Sequence, residues 1–143
     1  PVREVQGKIA IYGDYDVDGI SGTAILLEML GHLGVKTMHR LANRIKEGYG
    51  LHVHAVEELA EQEVDLIITV DGGSNDVDAL RRSQELGLEV IVTDHHRIDE
   101  TLEGIPLVHP GRADQPSPSL GLFGAAVAYN LAWALATQAA RRG

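Results

Sequence analysis

Cysteine is absent from this 143-residue sequence, which excludes disulfide bonds and zinc sites built on thiolates. Aromatic residues are scarce, with four tyrosines, one tryptophan and one phenylalanine, so few side chains could stack against nucleic-acid bases. Basic residues are outnumbered as well, because 12 lysines and arginines face 21 acidic residues and the net charge is −9. This balance argues against a surface that binds nucleic acid through positive charge, but it is compatible with carboxylates that hold divalent cations.

One long stretch, residues 120–140, lacks charged side chains and approaches the roughly 20 residues that a membrane span requires. It is rich in alanine and contains Asn130, Thr137 and Gln138, so we predict a buried or half-buried helix of a soluble protein instead. Residues 1–7 lack the basic and apolar blocks of a signal peptide, and we therefore expect a cytoplasmic protein without a membrane segment. The length is that of about one domain.

Hydrophobic runs alternate with helix-like stretches along the chain. Apolar, β-branched runs predict strands, and apolar residues at helical spacing predict helices between them. The predicted strands span residues 8–12, 37–41, 65–70, 89–93 and 105–108, and the predicted helices span residues 20–34, 55–63, 76–86 and 122–142. Residues 109–119 contain three prolines and predict a loop. This alternation predicts an α/β fold, with a mostly parallel sheet covered by helices on both faces.

Acidic and imidazole side chains follow three of the predicted strands at the point where each strand ends. The side chains are Asp14, Asp16 and Asp18 after the first strand, Asp71 after the third, and Asp94, His95 and His96 after the fourth. Ligands of an open parallel sheet bind beyond the carboxyl ends of its strands. We therefore expect the three groups to converge on one edge of the sheet.

Carboxylates crowded into one crevice repel one another and raise their own pKa values, and a divalent cation removes that penalty. Oxygen ligands with one or two imidazoles suit manganese or magnesium, and two such ions could support in-line attack on phosphorus. Gly19 and Gly22 leave N–H groups of the first helix free to face an anion, and Gly72 and Gly73 allow close approach of the backbone to a ligand. The residues alone also leave open a solvated turn or a calcium loop at 14–18, and ordinary surface or core histidines at 95–96.

Four segments occur in an order that resembles known motifs. They read D-Y-D-V-D-G at 14–19, N-R-I-K-E-G-Y-G at 43–50, V-D-G-G-S-N at 70–75 and T-D-H-H at 93–96. In this order they resemble the DHH phosphoesterase superfamily, and the first two segments resemble its RecJ branch. The segment L-F-G-A-A-V-A-Y-N from residue 122 is similar to the helix that follows in that branch. The resemblance extends over nearly the whole chain and implies a three-layer, Rossmann-like domain.

The resemblance further implies a 5′→3′ exonuclease of DNA repair and recombination that acts on single-stranded DNA or short oligonucleotides. It implies manganese or magnesium as cofactor, with two ions, and single-strand-binding proteins or helicases as partners. Carried over position by position, it implies metal ligands at Asp16, Asp18, Asp71 and His95, and catalytic groups at Asp14, Asp94 and His96. It implies substrate contacts from Asn43, Arg44, Tyr49, Ser74 and His96.

Two departures from the family pattern affect these expectations. Gly72 stands where the RecJ branch usually has a cysteine, a position that is not expected to be a ligand. No aspartate follows Asp114, although the family has a further metal-binding aspartate after the helix predicted at 122–142. We also expect residues 1–143 to exclude the DHHA1 and oligonucleotide-binding domains of longer relatives. We therefore expect residues 1–143 to form a DHH core that is incomplete at its C-terminal end, with an incomplete second metal site and weak or no hydrolysis in isolation.

Two other functions compete with this interpretation. The first is a nanoRNase or cyclic-dinucleotide phosphodiesterase of the same superfamily, which would prefer short substrates. The second is a degenerate member retained as a scaffold without catalysis. The presence of Asp16, Asp18, Asp71 and His95 argues against a degenerate site.

Overall fold

The sequence folds around a parallel β-sheet, seen here in a computed structural model that describes residues 7–99, 103–112, 114 and 121–142. The strands are β1 (Ile9–Gly13), β2 (Thr37–Leu41), β3 (Leu66–Val70), β4 (Glu89–Thr93) and β5 (Leu107–Val108). Their order across the sheet is β2-β1-β3-β4-β5, and every neighbouring pair is parallel. The first six residues and part of the predicted loop at 109–119 lie outside the described residues.

Helices cover both faces of this sheet. Helices α1 (Val17–His32) and α4 (Gly124–Arg142) pack on one face, and α2 (Val53–Glu61) and α3 (Val77–Glu85) pack on the other. Successive side chains of a strand lie on opposite faces, so Ile9 and Ile11 of β1 enter the first core, whereas Ala10 and Tyr12 enter the second. Strands β1 and β3 are buried at every position, as expected for strands covered on both sides. The predicted α/β fold is confirmed.

The strand order creates a crevice between β1 and β3. Strand β2 lies next to β1 at one edge of the sheet, and β3 lies next to β1 on its opposite side. The loops that follow β1 and β3 therefore diverge. Ligands bind at such a switch point in doubly wound sheets. Gly13 pairs with Val70, and Val70 pairs with Thr93, so the three strands end at the same level. Asp14, Asp71 and Asp94 therefore leave the sheet side by side.

The structure differs from the predicted element bounds mainly at the first helix. We predicted a start at residue 20, but α1 begins at Val17 because Asp16 caps it. The Asp16 side chain accepts hydrogen bonds from the backbone N–H groups of Asp18 and Gly19, at 2.8 and 2.9 Å. The predicted C-terminal helix is confirmed as α4, with Arg141 and Arg142 in its last turn. In the described part of the chain, no helix combines the length and hydropathy needed to cross a membrane.

Candidate metal centre

Two groups of side chains place possible ligand atoms close together at the carboxyl edge of the sheet. The first group is Asp14, Asp16 and Asp71, and the second is Asp71, His95 and His96. Within each group the ligand atoms lie within 4.8 Å of one another. Asp71 belongs to both, so the end of β3 joins the residues that follow β1 to those that follow β4. The predicted convergence of the three strand ends is confirmed.

Asp71 occupies the centre of this arrangement and is held in a restrictive environment. Its side chain is only 2% exposed, and its backbone has a φ of 63°, in the left-handed region that few residues other than glycine adopt. Its Oδ1 atom is buried without a hydrogen-bond partner and lies 3.0 Å from His95 Nε2. Burial first, and then the neighbouring charges of Asp16 and Asp18, raise the pKa of Asp71 to about 7. Unusual backbone and buried charge together are typical of functional sites.

Asp14 provides a second buried oxygen without a donor. Its Oδ1 atom has no hydrogen-bond partner, and burial is the main cause that raises the pKa of this carboxyl group. A buried polar atom without a partner costs free energy, and two carboxylate oxygens of this kind face the same crevice. A divalent cation that prefers oxygen ligands would satisfy both atoms, so the donor set of Asp14, Asp16, Asp71 and His95 fits manganese or magnesium.

Asp18, which we predicted as a metal ligand, is in neither group, and its carboxylate contacts a helix in this structure. Its carboxylate accepts hydrogen bonds from the backbone N–H groups of Gly124 and Ala125, at 2.8 and 3.2 Å. These are the first residues of α4, so Asp18 satisfies N–H groups that the helix itself leaves unpaired. The carboxylate is still close enough to raise the pKa of Asp71. Asp18 therefore joins α1 to α4 at the border of the site.

Asp94 organises the loop that contains both histidines. It is almost fully buried, and its Oδ1 atom accepts hydrogen bonds from the backbone N–H groups of His95 and His96, at 2.7 and 3.1 Å. The same oxygen lies 2.7 Å from His96 Nδ1. Burial acts to raise the pKa of Asp94, but the hydrogen bonds from Ser74 and His96 outweigh it and hold that pKa below its usual value. Because an ionised carboxylate only accepts, His96 carries its proton on Nδ1 and presents Nε2 as its ligand or donor atom.

Ser74 and Asn43, which we predicted as substrate contacts, make hydrogen bonds within the protein. The Ser74 hydroxyl is buried and donates to Asp94 Oδ2 at 2.5 Å, and its backbone N–H donates to the same oxygen at 3.2 Å. Asn43 uses its side-chain oxygen to accept hydrogen bonds from the N–H groups of Ile45 and Lys46, at 3.1 and 3.2 Å. Ser74 thus positions Asp94, and Asn43 forms the turn that precedes Tyr49.

Arg44 and Tyr49, which we predicted as substrate contacts, lie at the rim of the centre. Arg44 is exposed, and its guanidinium lies 5.5 Å from the ring centroid of Tyr15, the residue between Asp14 and Asp16. The Tyr49 hydroxyl donates to the Asp71 carbonyl at 3.0 Å and lies 2.7 Å from His96 Nδ1. Tyr49 therefore contacts the site residues themselves, whereas Arg44 is a positive charge available to an anionic ligand.

His109 is a supporting residue that we did not predict. Its Nδ1 atom accepts a hydrogen bond from the Gly111 N–H at 2.9 Å, so the proton lies on Nε2, which donates to the His96 carbonyl at 2.7 Å. His109 directly follows β5, and the rule that found the other groups, a polar side chain at the end of a strand, could have found it too.

Comparisons with known proteins agree with this geometry. The chain matches the DHH family, N-terminal domain, over residues 8–142. It is 41% identical to a single-stranded-DNA-specific exonuclease RecJ of Bacillus subtilis (strain 168) and 44% identical to that of Thermus thermophilus. Each alignment covers 91% of this chain but only 17% and 19% of the respective relative, so the chain spans about a fifth of their length.

A solved structure of a related protein has the same fold. The crystal structure of an exonuclease RecJ bound to manganese matches 94% of this chain and 34% of its own chain, with a TM-score of 0.85 and 39% identity. All residues of the candidate metal centre lie within the segment that matches the family. Because the match extends over residues 8–142, the chain belongs to the DHH family.

Proposed function

We propose that this chain is the metal-dependent phosphodiesterase core of a RecJ-like single-strand-specific exonuclease that acts in DNA repair and recombination. The observation that carries the proposal is the pair of buried carboxylate oxygens, one on Asp14 and one on Asp71, that make no hydrogen bond at the switch point of the sheet. The relatives named as single-stranded-DNA-specific exonucleases, and the relative solved with manganese, support the same reaction class. An enzyme that acts on chromosomal DNA would work in the cytoplasm of a bacterial cell.

The chain offers ligands for two ions that share Asp71. Asp14 and Asp16 lie with Asp71 on the β1 side, and His95 lies with it on the β4 side, next to His96. Asp18 is proposed as a further ligand if its carboxylate turns from α4 toward the cluster. Bound manganese or magnesium would supply positive charge for the phosphate and lower the pKa of a coordinated water.

The remaining side chains have roles that follow from their contacts. Asp94 accepts the Nδ1 proton of the His96 imidazole, so His96 Nε2 is available to a phosphate oxygen or to a leaving oxygen. Arg44 can pair with a phosphate of the strand through its guanidinium, which suits phosphate better than a lysine does. Binding of single-strand-binding proteins or helicases is an expectation from the family resemblance alone.

Manganese binding provides the first test. We expect calorimetric titration to give manganese binding to the natural chain and at least tenfold weaker binding to Asp71→Asn. Asp78→Asn is the matched control, because it makes the same chemical change on an exposed residue of α3. Manganese binding that is equal in all three proteins would contradict the proposed centre and favour a degenerate scaffold.

Substrate choice provides the second part of this test. The full-length protein is expected to degrade long single-stranded DNA in preference to duplex DNA. A preference for dinucleotides or cyclic dinucleotides would instead favour a nanoRNase or cyclic-dinucleotide phosphodiesterase.

A further inference from the structure

The segment 43–50, which we name the Tyr49 loop, connects β2 toward α2 and brings one side chain to the metal centre. Tyr49 stands between Gly48 and Gly50, which have φ values of 81° and 90°. These left-handed conformations turn the chain sharply on both sides of Tyr49, so that its hydroxyl reaches His96 Nδ1 and the Asp71 carbonyl. The position of the loop thus decides where this hydroxyl lies.

The loop has no hydrophobic anchor of its own before Tyr49. Its one aliphatic side chain, Ile45, is 94% exposed, and the neighbouring Arg44 and Lys46 are exposed too. The position of this part of the loop must therefore come from polar contacts.

Glu47 makes the hydrogen bonds that connect the loop to β2 and α2, and the Arg44 guanidinium lies 5.5 Å from the Tyr15 ring centroid. The Glu47 side chain is 11% exposed, and Oε1 accepts hydrogen bonds from Arg40 at 2.6 Å and pairs with His54 Nε2 at 2.7 Å. Its Oε2 atom accepts a hydrogen bond from the Asn43 N–H at 2.7 Å. Arg40 lies on β2 and also contacts Glu58 of α2 at 3.0 Å. Glu47 therefore ties the loop to a strand and to a helix at once.

The far end of the loop is fixed independently. The Leu51 N–H donates to Asp76 Oδ2 at 2.6 Å, and the Tyr12 hydroxyl donates to the Gly50 carbonyl at 3.1 Å. A Cβ atom at Gly50 would lie 2.7 Å from the Asp76 carboxylate oxygens, so only glycine fits there. With this end held, the direction of Tyr49 depends on the end that Glu47 holds.

We propose that Glu47 is a positioning residue for the metal centre: through Tyr49 it sets the orientation of the His96 imidazole without touching substrate or metal. The consequence for hydrolysis rests on the proposed function, whereas the link from Glu47 to His96 does not.

The link is tested by the ¹⁵N resonances of the His96 ring in the metal-free chain at a fixed pH. Glu47→Gln is expected to shift them in the same direction as Tyr49→Phe, which removes only the hydroxyl. Glu57→Gln, which removes a Glu–Arg pair of α2 away from the loop, is the matched control and is expected to leave them unchanged. Arg40→Lys keeps the charge, weakens the same link and is expected to give a smaller shift in the same direction.

The double variant decides whether Tyr49 transmits the effect. If it does, Glu47→Gln adds no further shift in the presence of Tyr49→Phe. The proposal is wrong if Glu47→Gln lowers the stability of the fold but leaves the His96 resonances at their natural positions, or if the two shifts add. In the full-length protein, Glu47→Gln is expected to lower kcat about tenfold and to change KM less than about twofold, because a small misplacement of a reacting group lowers the rate more than binding.

Discussion

Asp14 and Asp71 each bury a carboxylate oxygen that makes no hydrogen bond, and the Asp71 oxygen lies 3.0 Å from His95 Nε2. An apolar or hydrogen-bonded side chain at either position would give a more stable metal-free fold, because desolvation of an acid without a partner is costly. Asp71 nevertheless occupies this position with a φ of 63°, which is a strained backbone conformation for a residue other than glycine. Single residues at this edge thus favour the binding of a cation over the stability of the empty fold.

Glu47 is the residue whose contribution to stability depends most clearly on pH. Burial acts to raise the pKa of Glu47, but hydrogen bonds from His54, Asn43 and Arg40 lower it to about 2, from an ordinary value of 4.5. A depressed pKa stabilises the fold above pH 4.5, and this stabilisation is lost as the pH falls toward 2. It amounts to at most about 3 kcal/mol.

Urea unfolding at pH 7 and at pH 3 measures this effect. We expect Glu47→Gln to lower the free energy of unfolding at pH 7 and to differ much less from the natural chain at pH 3. Glu57→Gln removes a more exposed pair and is expected to cost under about 1 kcal/mol at both pH values. A Glu47→Gln deficit of equal size at pH 7 and pH 3 would show that the ionised carboxylate is not the stabilising group.

At the scale of elements, the start of α4 is where a small change should reach the metal centre. Gly124 packs directly on Asp71, so that a Cβ atom there would lie 2.2 Å from Asp71 Oδ1. Gly124→Ala must displace either the helix or the carboxylate, and we expect it to weaken manganese binding at least tenfold and to cost about 1–3 kcal/mol of stability. Titration calorimetry and urea unfolding check the two effects.

Gly121→Ala is the control for this prediction. It lies three residues earlier, and a Cβ atom at Gly121 would meet no atom within 4 Å. We expect its manganese affinity to equal that of the natural chain. If Gly124→Ala also kept the natural affinity, the approach of α4 to Asp71 would have no bearing on the centre.

The strands and the convergence of their ends could be predicted because they depend on local patterns. Apolar runs identify strands buried on both faces, and the residue after each run then lies at the sheet edge. The different hydrogen-bond partners of Asp16 and Asp18 could not be predicted in this way. Both follow β1 in an alternating run, but Asp16 caps α1, whereas Asp18 accepts hydrogen bonds from α4, more than a hundred residues away in sequence. The same long-range packing decides that Ser74 is buried against Asp94.

At the scale of the whole molecule, the sequence charge and the site geometry must be considered together. The net charge of −9 and the carboxylates at the sheet edge repel a phosphate backbone. Exposed Arg44 is one cation at the rim, which is too little to reverse this repulsion. Divalent cations bound at the centre would reverse the local field beside His96 and the rim residue Arg44.

Binding of single-stranded DNA by this chain should therefore depend on metal. With a labelled phosphorothioate oligonucleotide, which resists cleavage, fluorescence anisotropy is expected to show at least tenfold tighter binding in manganese than in chelator. Asp71→Asn is expected to abolish this difference. In a plot of the logarithm of the binding constant against the logarithm of the salt concentration, each phosphate contact to a single strand contributes about −0.7 to the slope. Because we expect only a few contacts, the slope should be shallower than about −2. Tight binding in chelator with a steep slope would instead require a basic surface, which the described residues near the centre do not supply.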